Sequence, residues 1–463
     1  MTWNRTSTVD DVPVDPYGDA VASAVSDMLA AAVVEVVYSP TDGAEAPEHE
    51  PPWPAGTASA TAPGPPGWQT TLCVRLDERV ARLVSTVGRS TYLAELLDVL
   101  PKAGLAAVEP FRRPGRAPQR GAVGPAMRRA LRDTVAAEVL GAYLDRRVGG
   151  SVTTGLVADT IDFLIELSGT RVESHDLTHG VVVADVLHDA PRLDFAYPAD
   201  VRTAKRAPLL FDGRRSVLLV DPRGRARTEL QRHRFQRLVP GADLADTGDD
   251  HAFGGGSLVA EATRLFGGVG FLVRDDRSIW TFVDGRPLLV RRGEHWTAFP
   301  LELAASIENM IGGGSVAALV TQAAFTISGQ PAGAILAIVD DPARLDGVVP
   351  LKDRYDLRNE IDPSAMRTET RLHHLIDAEE LDAPTLVRLA TLDGATVLDR
   401  EGRLVAYGAV VTSADSQHEG ARTAAARTLS ETAEVVLKVS VDGDITVFRR
   451  GAVVTTLLGR TTS

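Results

Sequence analysis

The segment from Leu392 to Gly451 leaves the chain few folds to choose from. Val397-Leu398, Leu404–Val411, Val435–Val439 and Ile445–Phe448 are short apolar runs rich in β-branched residues. Asp393-Gly394, Glu401-Gly402 and Asp442-Gly443 punctuate them. Apolar runs bounded by such dipeptides read as strands joined by turns. The Ala-rich stretch between them, Ala421–Ser430, is helical by propensity. The predicted order is strand, turn, strand, helix, strand, turn, strand, which is an α/β unit.

From about residue 205 an earlier part of the chain repeats this plan. Leu210-Phe211-Asp212-Gly213 precedes Val217–Asp221 and Pro222-Arg223-Gly224-Arg225, as Leu392-Asp393-Gly394 precedes Val397-Leu398-Asp399 and Arg400-Glu401-Gly402-Arg403. Gly254–Phe266 predicts a glycine-led helix like Gly420–Thr432. Val269–Val273 and Ser278–Phe282 correspond to Val435–Val439 and Asp444–Phe448. Gly254 to Gly420 and Ile279 to Ile445 are both separations of 166 residues. Two generic strand-turn-strand-helix segments could resemble one another by chance, but the constant offset favours a duplicated unit with a divergent first copy.

At 463 residues the chain has room for two to four domains and an ample core. Its 44% apolar and 24% charged content is that of a globular protein. A net charge of −13 argues against general adhesion to nucleic acid or anionic membrane. One cysteine, Cys73, excludes an intrachain disulfide and argues against a thiolate zinc site. Set in Leu72-Cys73-Val74, it reads as a small core residue. The N-terminus lacks the pattern of a signal peptide, and the apolar segment 20–38 is interrupted by Asp27 and Glu35. A cytoplasmic location without membrane contact is the expectation.

The N-terminal region reads as helical. Residues 16–38 predict an Ala/Val-rich amphipathic helix, and 39–68 a Pro/Gly/Ala-rich linker with no core of its own. Helices follow at about 77–100 and 125–147, with a basic loop, Arg112–Arg120, between them that reads as solvated. Val157–Leu167 predicts a helix and Gly180–Val186 a strand. Phe299–Ile327 is apolar and helical, broken at Gly312-Gly313-Gly314, and Ala334–Val339 predicts a buried strand. Residues 340–380 read as a polar loop with one short helix near Ser364–Leu375, and Pro384–Ala390 as the helix that delivers Asp393. Adjacent His373 and His374 do not converge on one metal when helical. There is no Walker loop and no serine nucleophile elbow.

The C-terminal third, roughly Leu301–Gly451, resembles the diadenylate cyclase (DAC) family, in particular the nucleotide-binding domain of the DNA-integrity-scanning type. Asp393-Gly394-Ala395 matches that family's Asp-Gly-Ala triplet, and Gly420, Arg422, Ala425, Ala426, Ser430 and Glu431 match its Gly-Thr-Arg-His-Arg block and the Ala-rich helix beyond. Three positions depart: Ala421 stands for Thr, Thr423 for His and Ala424 for the second Arg. The resemblance implies a mixed-sheet DAC-like domain at 299–463. Before it come a divergent DAC-like α/β domain at 151–298, a helical region at 69–150, the linker at 39–68 and the N-terminal helix at 1–38.

The same resemblance implies that Asp393 binds a catalytic Mg2+ or Mn2+ with nucleotide phosphates, as hard oxygen ligands do. Gly394, Ala395, Gly420, Arg422, Thr423, Arg427, Ser430 and Glu431 would line the nucleotide site. Local chemistry agrees at the helix start, where free N–H groups and the dipole favour an anion. Arg422 opposes that dipole by about 0.3–1 kcal/mol unless an anion is bound. Arg427, a turn further on, adds charge to the same helix face. The first copy is poorer, with Arg214 after Asp212-Gly213 and no Arg after Gly254-Gly255-Gly256. Arg232-His233-Arg234 repeats the family's letters without its context. Binding or sensing of an adenine nucleotide, ATP or cyclic di-AMP, is therefore the leading expectation. Condensation of two ATP into cyclic di-AMP and a self-associating scaffold, a homo-oligomer, are the alternatives.

Overall fold

The computed structural model describes residues 15–29, 32–41, 57–76, 91–112, 123–148, 153–172, 175–185, 193–203, 210–239, 256–274, 276–298, 307, 310–311, 316–328, 330, 332–359, 381–411 and 420–457. The expected short helix near Ser364–Leu375, His373-His374, the Gly312–Gly314 break, Gly254 and most of the basic loop after Arg112 lie outside them. The chain is a mixed α/β protein in two compact units. One comprises 1–77, 90–244 and 255–299; the other 78–89, 245–254 and 300–463.

The first unit opens with α1 (Pro16–Met28), capped by Asp15, whose side chain accepts from Tyr17 N. The expected helix over 16–38 stops there. Val33-Val34-Glu35-Val36-Val37 is too β-branched to continue it, and β1 (Ala32–Pro40) forms instead. The expected linker likewise contains β2 (Ala58–Pro63), and the expected helical region begins with β3 (Trp68–Leu76). These three strands make an antiparallel sheet ordered β1-β3-β2, with Cys73 buried at its centre. Strand β2, Ala-Ser-Ala-Thr-Ala-Pro, has little apolar character of its own. It is held as an edge by the ladder with β3 and ends at Pro63. Helices α2 (Thr91–Val108), α3 (Pro125–Val148) and α4 (Thr153–Ser168) follow.

The chain then builds an eight-stranded sheet. After the small hairpin β4 (Arg171–Val172) and β5 (His175–Asp176) come β6 (His179–Val183), β7 (Phe195–Ala196), α5 (Ala199–Thr203), β8 (Ser216–Val220), β9 (Arg225–Gln231), α6 (Arg232–Leu238) and α7 (Ser257–Phe266). Strands β10 (Val269–Val273), β11 (Ile279–Val283), β12 (Arg286–Arg292) and β13 (His295–Ala298) complete it in the order β13-β12-β11-β10-β6-β8-β9-β7.

The second unit contains α8 (Val316–Ser328), β14 (Ala334–Val339), α9 (Ala383–Ala390), β15 (Ala395–Asp399), β16 (Leu404–Ala409), α10 (Ala421–Thr432), β17 (Val435–Val439), β18 (Ile445–Arg449) and β19 (Ala452–Leu457). Its sheet is ordered β16-β15-β14-β17-β18-β19. Six neighbouring strands of the first unit, β9-β8-β6-β10-β11-β12, have the same connectivity. In both units one central pair is parallel (β6/β8, β14/β15) and the remaining pairs among these six are antiparallel. α7 and α10 occupy the same link of the chain. The β8–β9 and β15–β16 turns also match in detail. Asp221 Oδ1 accepts from Arg225 N at 2.9 Å, and Asp399 Oδ1 from Arg403 N at 2.8 Å. Gly224 and Gly402 take φ of 75° and 83° in those turns.

All six residues of β14 and all five of β15 are buried. Ile335, Ala337, Val339, Ala395 and Val397 pack with Ala426 and Leu429 of α10 in one cluster. Gly394 lets β16 approach: its φ is 109°, and a Cβ there would lie 2.4 Å from the carbonyl carbon of Gly408. Gly394→Ala should therefore cost about 1–3 kcal/mol from backbone strain alone, read as a lowered urea midpoint with unchanged slope. A variant as stable as the parent would show that β16 can shift away.

Candidate functional site

Asp393 is delivered by α9. Asp382 is that helix's N-cap and accepts from Thr385 N at 2.8 Å. Ala383, Leu386, Val387, Leu389 and Ala390 bury its inner face, so the following Thr391–Gly394 segment starts from a fixed point. Asp393 is exposed at the amino end of β15, and Ala395 directly below is fully buried.

The start of α10 comes to the same end of the sheet. Gly420 is its N-cap with no side-chain cap, and the amides of Thr423 and Ala424 bond back to its carbonyl. The amides of Ala421 and Arg422 precede the first intrahelical bonds and need outside partners. A Cβ built on Gly333 would stand 3.1 Å from Arg422 Nη1, so the guanidinium lies against that glycine. In the parallel register Ile335 pairs with Ala395, which sets Gly333 alongside Asp393. Arg422 thus lies against the backbone position that neighbours Asp393. Lys438, opposite Ile335 on β17, donates from Nζ to Thr423 Oγ1 at 3.1 Å. Thr423 is where the resembled family has His, and Lys438 brings a cation to that place. The sequence reading missed it; the signal was a lone Lys in the apolar run Val435–Val439.

Around this end Asp353, itself buried, accepts from Val410 N at 3.2 Å and from Lys352 Nζ at 3.0 Å. Further along β16, away from Asp393, the amide of buried Tyr355 donates to Val405 O, its ring centroid lies 6.4 Å from that of Tyr407, and the Arg358 guanidinium stands 3.9 Å over it. Burial, then the neighbouring Tyr355, pushes the Tyr407 phenol up, so it is a neutral donor in the physiological range. This part of the expected polar loop is anchored by buried Leu345 and Val349, and buried Arg354 bonds Asp346 and Asp356.

Arg427, Ser430 and Glu431 are elsewhere. Arg427 Nη1 donates to Gly451 O at 3.2 Å, and Ser430 Oγ accepts from Gly451 N at 3.0 Å. A Cβ on Gly451 would lie 3.3 Å from Glu431 Cγ. Gly451 turns between β18 and β19, beside the start of β17, which is the opposite end of the sheet from Asp393. These three residues hold a turn. Ala424, where the family has its second Arg, is buried in the α10–sheet packing. A guanidinium at that position would have to enter the core.

The first unit closes the equivalent corner with its own atoms. Asp212 Oδ1 accepts from the amides of Arg214, Arg215 and Ser216 at 2.9, 2.7 and 3.3 Å. Arg232 donates from Nε to Arg214 O and from Nη2 to Ser257 Oγ, the first residue of α7.

For a divalent cation, the described residues contain no group of three or more His, Cys, Asp or Glu ligands. Asp393 is a single carboxylate and supplies one hard oxygen ligand, so an ion there would take its other ligands from elsewhere. Among the described residues no helix is long and apolar enough to cross a membrane. The chain matches no protein-family model and no curated protein.

Hydrogen bonding to Thr385 holds the Asp382 carboxyl below its ordinary value of 3.8. A depressed folded-state pKa gives stability that is present above the unfolded value and is lost as pH falls through the folded value. Asp382→Ala should cost about 1 kcal/mol near neutral pH, and the gap to the parent should narrow as the pH drops below 3.8. A chemical-denaturation series in pH checks both; a gap that widens in acid would refute the capping role.

Proposed function

We propose that the C-terminal unit binds an adenine nucleotide at the Asp393 end of its sheet, in a metal-dependent manner and without efficient synthesis of cyclic di-AMP. The observation that carries this reading is the juxtaposition of an exposed carboxylate, Asp393, with the uncapped start of α10 and two cations, Arg422 and Lys438. Free helix amides and Arg suit phosphate oxygens. Asp393 would hold Mg2+ or Mn2+ shared with them, the ion supplying charge neutralisation of the phosphates.

Two features favour binding over synthesis. The donors lost at Thr423 and Ala424 are of the kind worth about 10²–10³ in rate when removed singly. Cyclisation in the resembled family joins two facing nucleotide sites. In the first unit the Asp212 carboxylate is already committed to three backbone amides. A chain of this kind offers one such site, so synthesis would need two chains.

Thermal shift with ATP and cyclic di-AMP, each with and without Mn2+, tests the reading. Stabilisation by nucleotide should depend on the metal. Asp393→Asn should remove that dependence while leaving the ligand-free melting temperature unchanged, because an exposed side chain away from the packing contributes within about 0.5 kcal/mol. Lys438→Gln should weaken binding about tenfold, the loss of one charge-assisted contact. Absence of any nucleotide effect favours the scaffold. Robust cyclic di-AMP formation that Asp393→Asn abolishes would overturn the sensor reading in favour of the cyclase.

A further inference from the structure

The opposite end of the same sheet carries a charge arrangement that three matching positions of the first unit lack. Glu434, at the entry to β17, is three-quarters or more buried, its side chain 19% exposed. Three guanidiniums from three separate elements surround its carboxylate. Arg344, from the turn after β14, stands 3.7 Å away, Arg400, after β15, 3.9 Å, and Arg449, ending β18, 4.0 Å. All three separations exceed hydrogen-bond length. Arg344 also meets Asp340 at 3.1 Å, and Arg449 Nη2 donates to Met310 O at 3.1 Å. Arg400 Nε is buried with no hydrogen-bond partner among the described residues. Three cations against Glu434 and Asp340 leave one net positive charge.

At three of the matching positions the first unit carries no charge. The residue before β10, matching Glu434, is Gly268; the residue after Asp221, matching Arg400, is Pro222; the last residue of β11, matching Arg449, is Val283. A Cβ on Gly268 would lie 2.1 Å from Val183 O. The backbones approach closely there and leave no room for a side chain at Gly268, so Glu434 and the arginines around it are particular to the second unit. They converge beyond the carboxyl ends of the parallel strands β14 and β15, the edge at which open α/β sheets bind ligands.

We infer that Arg344, Arg400 and Arg449 form a binding site for a phosphate group, free or carried on a small molecule, and that Glu434 keeps the three guanidiniums gathered when the site is empty. Arginine's planar fork suits phosphate oxygens, and three of them on one anion give contacts that a shared carboxylate at 3.7–4.0 Å does not. The site lies at the other end of the sheet from Asp393, so it stands or falls separately from the nucleotide reading.

The test is titration of the full chain with inorganic phosphate by calorimetry and thermal shift at constant ionic strength, with chloride as the reference salt and glycerol 3-phosphate in parallel. Saturable binding of either phosphate is expected; the tighter of the two says whether the group is free or carried. Arg400→Gln should weaken it about tenfold, and Arg344→Gln, on an exposed turn, provides the same readout if the first variant folds poorly. Glu434→Gln should tighten it about tenfold, because it removes a like charge from the anion's neighbourhood. Lys102→Gln, an exposed lysine of the first unit, should leave it unchanged. Binding no stronger than chloride, or an affinity in Arg400→Gln and Arg344→Gln equal to the parent's, would overturn the assignment.

Discussion

The architecture of the second unit depends on one constraint, the burial of a parallel pair of apolar strands. β14, Ala-Ile-Leu-Ala-Ile-Val, is buried at every position, so both of its faces need cover. Ile335, Ala337 and Val339 meet α10 on one face, and α8 contacts β14 as well. A parallel pair also needs a long crossover to bring the chain back. That crossover, residues 340–394, ends in α9 and sets Asp393 at the amino end of β15. The helix that covers the sheet likewise starts where Asp393 stands. The position of the candidate site is therefore a consequence of how the apolar strands are covered.

The two units show what one connectivity permits. In both, an Asp-Gly pair precedes the second parallel strand. In the first unit the aspartate is spent on three backbone amides and Arg232 reaches the start of the neighbouring helix, so the corner is self-satisfied. In the second, Gly394 and Gly408 bring the backbones of β15 and β16 together, and Asp393 remains exposed at the end of the sheet where Arg422 meets Gly333 and Lys438 meets Thr423. The far end differs in the same sense, with Gly268, Pro222 and Val283 in one unit and Glu434, Arg400 and Arg449 in the other. At the far end of its sheet the second unit thus carries charges where these three positions of the first carry none.

Within the first unit, buried ion pairs rather than a repeat of that pattern join the N-terminal helices to the sheet edge. Asp133 of α3 accepts from Arg291 Nε at 3.0 Å and from Trp296 Nε1 at 2.7 Å, and Asp27 of α1 pairs with Arg132 at 2.9 Å. Removing one partner of such a pair leaves a buried charge exposed to a low dielectric, a cost of several kcal/mol. Helices α1, α2 and α3 and strands β1 to β3 thus belong to the same compact unit as the first sheet, although their sequence reads as a region of its own.

The sequence by itself determined the α/β class, the strands at 334–339, 395–399 and 435–449, and the helix after Gly420, because short β-branched runs and an Ala-rich run have one low-energy local structure each. It also carried the internal correspondence, since a constant offset survives divergence of the side chains. Strands β1 and β2 were hidden. An Ala/Val run suits helix or strand, and Ala-Ser-Ala-Thr-Ala-Pro becomes a strand only when β3 supplies its hydrogen bonds. The site divided along the same line. Asp393, Gly420 and Arg422 could be found as a pattern in the chain. Only the tertiary structure separated them from Arg427, Ser430 and Glu431, which share the helix but hold the Gly451 turn at its other end, and only the pairing of β14 with β17 brought Lys438 to Thr423. Residues close in sequence on a helix lie at different ends of the sheet it covers, and residues on different strands become neighbours through register, which no local pattern encodes.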